Sequence, residues 1–224
     1  MVVPDLRGHG ESDKPGGEGD YTLDLFAADV LAVADRLGWD RFSLVGHSMG
    51  GMVAQVLALA APERLDALVL MDTGHGPVSI DPALARAAVQ LVRSGGIGAL
   101  ADVLTGAAGG PLETPAAERL RRSRPDLVAE WDRRLRSTSA AMYAAMALTM
   151  LAQEDRLERL RQLPVPTLVL VGEQDGAFLA DSHRLHGAIP GARLEVVPDA
   201  GHSPQRENAA AWRTAIVSFL AGAP

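Results

Sequence analysis

The sequence predicts an α/β fold in which a mostly parallel sheet is flanked by helices and interrupted by an all-helical insertion. Three observations carry this. Short apolar runs of strand length recur at residues 42–45, 68–71, 166–171 and 193–197, with helical periodicity between them. The run 68–71 is apolar throughout, as suits a parallel strand covered on both faces. From about His75 to Leu163 the strand signals stop, and the chain becomes Ala, Leu and Arg broken by Gly and Pro.

Each element follows from local chemistry. Residues 1–5 (MVVPD) read as the tail of a strand that runs into a Gly-rich, charged surface loop over 6–19. Thr22 or Asp24 caps a helix over 25–37, with Phe26, Val30, Val33 and Leu37 on one face and Gly38 as its stop. Residues 42–45 form a short buried strand, and an apolar helix over 49–61 is ended by Pro62. The strand 68–71 ends at Asp72. Helices are expected over 82–93, 97–104, 114–123, 125–135 and 137–160. After the strand 166–171 come a turn at 172–175, a helix over 179–188 and the strand 193–197. A loop over 198–204 and an amphipathic helix over 209–220 close the chain.

With 224 residues and 47% hydrophobic side chains the chain can bury a full core. The expected division is a core of residues 1–75 and 164–224 around an insertion of residues 76–163. No apolar run reaches the roughly 20 residues needed to span a bilayer. The start, MVVPDLRGHG, lacks the basic and apolar regions of a secretion signal. A cytoplasmic chain with no membrane partner is the expectation. Cysteine is absent, which removes disulfides and thiolate metal sites. Acidic residues outnumber basic ones 28 to 21, for a net charge of −7, so a nucleic-acid partner is not expected.

The chemistry centres on residues 46–50, GHSMG, a G-x-S-x-G turn between strand and helix. Such a turn strains the serine backbone and lifts the Ser48 hydroxyl above the sheet. Gly46 and Gly50 are expected to be glycine because a side chain at either would collide with neighbouring backbone. Ser48 sits at the positive end of a helix, where the amide of Met49 is free to stabilise an oxyanion. Serine needs a base, usually a histidine oriented by a carboxylate. Asp175 and His202 fall, like Ser48, just past the ends of strands, where residues of a parallel sheet converge. Asp72 also follows a strand and is the rival acid, with Asp175 favoured.

Other residues weigh less. His47, grouped with Met49 on the oxyanion and substrate side, is expected to pack beneath the nucleophile. His9 and His75 read as solvated loop residues, with a place facing the pocket as the rival. His183 and His186 stand three apart on a helix but lack a third ligand, so no metal is expected. Neither G-x-G-x-x-G nor G-K-[ST] occurs, and no cofactor is expected. The arginines at 119, 121, 122, 124, 133, 134 and 136 alternate with acids and read as solvated helix faces, with steering of anions as the rival. Met142, Met146, Leu148 and Met150 either line a pocket or pack on the core.

Four ordered motifs, PDLRGHGESD at 4–13, GHSMGG at 46–51, LVLVGEQD at 168–175 and DAGHSPQRE at 199–207, resemble those of α/β-hydrolase fold serine hydrolases with a helical cap. That resemblance implies Ser48 as nucleophile, His202 as general base and then acid, and Asp175 as its orienting partner. It implies a small-molecule ester, lactone or related carbonyl as substrate, attacked through an acyl-enzyme. The fold also hosts C–C bond hydrolases, perhydrolases, acyltransferases and lipases. Relatives that use an Asp nucleophile are disfavoured by Ser48. A non-catalytic, hydrolase-like protein is the alternative from another class.

The family pattern also places strands ahead of VVPD and a His-Gly loop that supplies a second oxyanion amide; neither is found in this sequence. Residues 2–4 are therefore expected to lack their partner, and 42–45 to expose an edge that favours self-association. One lost oxyanion donor is worth about 3–4 kcal/mol. Three readings follow: a longer true chain, an inactive remnant, or a sheet in which 1–5 pairs directly with 42–45.

Overall fold

The computed structural model describes residues 1–106 and 113–222. The chain runs α1 (Leu23–Arg36), β1 (Phe42–His47), α2 (Met49–Ala60), β2 (Leu65–Met71), α3 (Pro82–Gly106), α4 (Pro115–Ser123) and α5 (Pro125–Arg136). It continues through α6 (Ala140–Ala152), α7 (Leu157–Leu160), β3 (Thr167–Gly172), α8 (Leu179–Ala188), β4 (Arg193–Val197), α9 (Pro204–Glu207) and α10 (Ala209–Ala221). The four strands form one parallel sheet in the order β1-β2-β3-β4.

Alternation along the strands sorts the core into two faces. Leu68 and Leu70 of β2 and Val169 of β3 pack with Phe26 of α1, Met52 and Leu57 of α2 and Leu185 of α8. Ala67, Val69 and Met71 point the other way, with Leu168 and Leu170, onto Ile216 and Phe219 of α10. Central strands β2 and β3 are buried almost throughout, which explains why they read as unbroken apolar runs. Edge strand β1 alternates instead, and Val45 is 44% exposed.

Both ends of α1 are set by local capping. Thr22, not Asp24, caps α1 by accepting from the Leu25 amide at 3.1 Å. Gly38 ends the helix with φ of +71°, while the Trp39 amide returns to the Ala34 carbonyl at 2.9 Å.

Residues 1–5 form no strand, against the expected strand tail, and the reading in which they pair directly with 42–45 does not hold, since the partner of β1 among the described residues is β2 alone. The segment is tied into its own loop: the Asp5 carboxylate accepts from the Glu11 amide at 3.0 Å, and its carbonyl accepts from Ser12 Oγ at 2.7 Å. Nor is 137–160 one helix. Gln153 adopts an extended ψ of 151° and separates α6 from α7. A buried polar cluster holds the break: Arg156 donates to Gln153 Oε1 at 2.7 Å, Gln153 to the Gly76 carbonyl at 2.6 Å, and Gln55 to the Gly74 carbonyl at 3.0 Å.

The helices at 82–93 and 97–104 meet without a loop in α3, where Gly96 takes φ of +74° and kinks the run. Its stretch Pro82–Leu104 is long and apolar enough by composition to cross a membrane. The stretch is kinked and 22% buried, with Val89 packed against Ala144 and Ala147 of α6.

Candidate active site

Ser48 joins β1 to α2 with φ of 53° and ψ of −120°, a backbone that L residues rarely adopt. Its amide donates to the Met71 carbonyl at 2.9 Å, and its carbonyl accepts from Thr73 Oγ1 at 2.7 Å and the Gly51 amide at 2.9 Å. The strained turn is thus bonded on both sides. Gly46 is required, because a Cβ there would stand 2.4 Å from the Gly50 carbonyl oxygen. The expectation for Gly50 is corrected. A Cβ there would meet nothing, and Gly51 is the tight position, 2.6 Å from Thr73. The difference arises because the chain leaving β2 brings the Thr73 side chain against the second glycine. Met49 opens α2, so its amide has no carbonyl four residues back within the helix.

Two further loops meet Ser48. The turn after β3 supplies Asp175 and the loop after β4 supplies His202. These two turns touch so closely that a Cβ on Gly172 would stand 2.0 Å from the Gly201 carbonyl oxygen. His202 Nδ1 lies 2.8 Å from Asp175 Oδ2, and its Nε2 lies 3.0 Å from Ser48 Oγ. A carboxylate only accepts, so Nδ1 carries the proton and Nε2 is left to accept from the serine hydroxyl. Asp175 is 2% exposed and His202 13%, while Ser48 is partly open to solvent. Such an arrangement can turn a hydroxyl into a nucleophile and store its proton on the imidazole.

The chain as a whole is similar to known proteins. A family model described as alpha/beta hydrolase fold matches residues 1–209. The chain belongs to the α/β-hydrolase fold family. It is 32% identical over 222 residues to 3-oxoadipate enol-lactonase 2 of Acinetobacter baylyi, across 98% of this chain and 78% of that protein. Its fold is similar to the enol-lactonase of Burkholderia xenovorans LB400, with a TM-score of 0.82 and 30% identity over 97% of this chain and 79% of that one. A thermophilic esterase of Thermogutta terrifontis aligns with a TM-score of 0.80 and 31% identity, covering 98% and 78%.

His47 supports the His202 loop. Its Nε2 lies 2.6 Å from the His202 carbonyl oxygen and therefore donates to it, and the two rings are 4.9 Å apart. Burial, and then the neighbouring His202, push the His47 pKa down to about 4 from an ordinary 6.5. The unfolded chain therefore binds this proton first, and folding stability should fall as pH drops from about 6.5 towards 4. Thermal melts across that range should show a shallower decline for His47→Gln, which keeps a donor and cannot titrate. Equal declines would contradict the assignment.

Asp72, the rival acid, is fully buried with φ of 46°. It accepts from the Gly172 amide at 2.9 Å and not from His202. His75 departs from its expected solvated position: it is buried, with Nδ1 2.8 Å from Asp155 and Nε2 3.5 Å from Asp181. That burial is imposed by α8 and by the break before α7, both remote in sequence. His9 is partly exposed, and His183 and His186 lie on the surface of α8. The arginines pair along exposed helix faces, Arg122 with Glu118 and Arg134 with Glu130 among them. Met142 and Met146 pack into the main core.

Two supporting residues were not foreseen. Phe178 stacks on the His202 ring at 5.2 Å. Glu207 accepts from the amides of Gly201 at 2.6 Å and Ser203 at 3.2 Å, pinning the loop on either side of His202. The sequence signal for Glu207 was present, as a carboxylate at the end of the DAGHSPQRE motif.

Proposed function

We propose that this α/β-hydrolase is a serine hydrolase of small esters and lactones, working through an acyl-enzyme. The observation that carries the reading is the continuous hydrogen-bond chain from Ser48 Oγ through His202 to Asp175, at 3.0 and 2.8 Å. Similarity to an enol-lactonase and to an esterase supports the substrate class.

In this reading Ser48 Oγ bonds to the substrate carbonyl carbon while its proton passes to His202 Nε2. The carbonyl electron pair becomes an oxyanion, held in part by the Met49 amide at the helix terminus. Collapse expels the alkoxide, which takes the proton from His202. Water then gives a proton to His202 and attacks the acyl carbon; the bond to Ser48 Oγ breaks, the leaving Oγ takes that proton from His202, and the acid is released. With a lactone the leaving hydroxyl stays attached, so the product is a hydroxy acid. Residues 76–163 are read as a cap that shapes the substrate pocket. Three contacts with the catalytic loops support it: a Cβ on Gly201 would meet Thr114, the Ala116 amide donates to Gln174 Oε1, and Arg119 donates to the Asp199 carbonyl.

The test is hydrolysis of short-chain p-nitrophenyl esters and a simple γ-lactone by the purified chain. Saturable turnover of both classes is expected. A folded chain that raises neither rate above buffer would overturn the reading.

A further inference from the structure

Behind Asp175 lies a second carboxyl that the mechanism above does not use. Asp72 follows β2, is fully buried and holds a left-handed backbone, with its amide donating to the Leu170 carbonyl at 2.9 Å. One oxygen, Oδ1, accepts from the Gly172 amide. The other, Oδ2, is buried and faces no hydrogen-bond donor. One oxygen of Asp72, one of Asp175 and one nitrogen of His202 all lie within 4.8 Å of each other.

We propose that Asp72 is a neutral carboxylic acid whose Oδ2–H donates to Asp175, holding the Asp175 carboxylate toward His202 Nδ1 and making Asp72 a positioning residue for the triad. This rests on the reading of Ser48, His202 and Asp175 given above. Two carboxylates this close in a buried site do not both ionise. Asp175 keeps the charge because it already accepts from His202 Nδ1. Asp72 takes the proton because an ionised Oδ2 would face no donor, while a protonated one finds an acceptor in Asp175. Burial first, and then the neighbouring Asp175 and Glu207, push the Asp72 carboxyl far above the ordinary carboxylate range, against the Gly172 hydrogen bond. The groups facing it are Asp175 after β3, His202 after β4 and Glu207 on α9. The arrangement leaves one negative charge where two acids stand, placed against the histidine.

The experiment compares the full chain with Asp72→Asn and Asp72→Ala. Asparagine retains both an acceptor for Gly172 and a donor for Asp175, whereas alanine retains neither. Asp72→Asn is expected to keep kcat near the parent. Asp72→Ala is expected to lose up to about 100-fold in kcat with KM little changed, the cost of a misplaced catalytic group. Infrared difference spectra at neutral pH should also show a carboxylic-acid carbonyl band in the parent that is missing from Asp72→Asn. An Asp72→Ala variant as fast as the parent, or a parent without that band, would overturn the inference. If Asp72→Ala fails to fold, the band and the Asp72→Asn rate decide it. A parent that hydrolyses nothing would overturn the hydrolase reading instead, and the band alone would then judge the protonation of Asp72.

Discussion

Ser48→Ala is expected to lower ester hydrolysis by about 10⁵- to 10⁶-fold while leaving the fold intact. Removing the hydroxyl deletes the atom that would bond to the substrate carbon. The hydrogen bonds that hold the turn are made by the Ser48 backbone, to Met71, Thr73 and Gly51, and alanine preserves them. Melting temperature should therefore stay near that of the parent, and ligand affinity should persist. Residual activity would come from substrate binding and the Met49 amide alone. Steady-state rates beside a thermal melt check both halves. A variant within tenfold of the parent would show that the chemistry lies elsewhere.

Asp175→Asn is expected to cost about 10⁴-fold, by a different route. The carboxylate accepts from His202 Nδ1 at 2.8 Å, and so fixes the tautomer that leaves Nε2 free for Ser48. An amide nitrogen at the same place would donate, favouring the tautomer with its proton on Nε2. That form cannot take the serine proton. The loss should appear in kcat, since Asp175 is buried behind the imidazole and out of reach of substrate. A loss of less than tenfold would favour another carboxyl as the partner of His202. Asp72 is the candidate on position, although its hydrogen bond goes to Gly172.

Much of this site was legible because its chemistry is local. The elbow shows itself in six residues, and strands β2 and β3 show themselves as apolar runs because helices cover both of their faces. Asp175 and His202 follow their strands in the expected chain order, and the sheet brings both to Ser48. What escaped depends on contacts distant in sequence. Gly51 rather than Gly50 is constrained, because Thr73 lies beneath it. The break at Gln153 depends on Gln55 and Gly76, roughly 80 to 100 residues away. His75 looked like a loop histidine until Asp155 and Asp181 closed around it. Residues 1–5 carry strand-forming side chains, yet a strand exists only where a neighbouring backbone accepts its hydrogen bonds. Here that segment turns back on its own loop through Asp5. The sequence pattern carried propensity, and the fold supplied the partners.

The central claim is that Ser48, His202 and Asp175 act together as an activated nucleophile. Intact mass after treatment with a fluorophosphonate tests it most directly, with Ser48→Ala alongside. A single phosphonyl adduct on the parent and none on the variant is the predicted result. A folded parent that takes up no adduct, or a variant labelled as readily as the parent, would contradict the account.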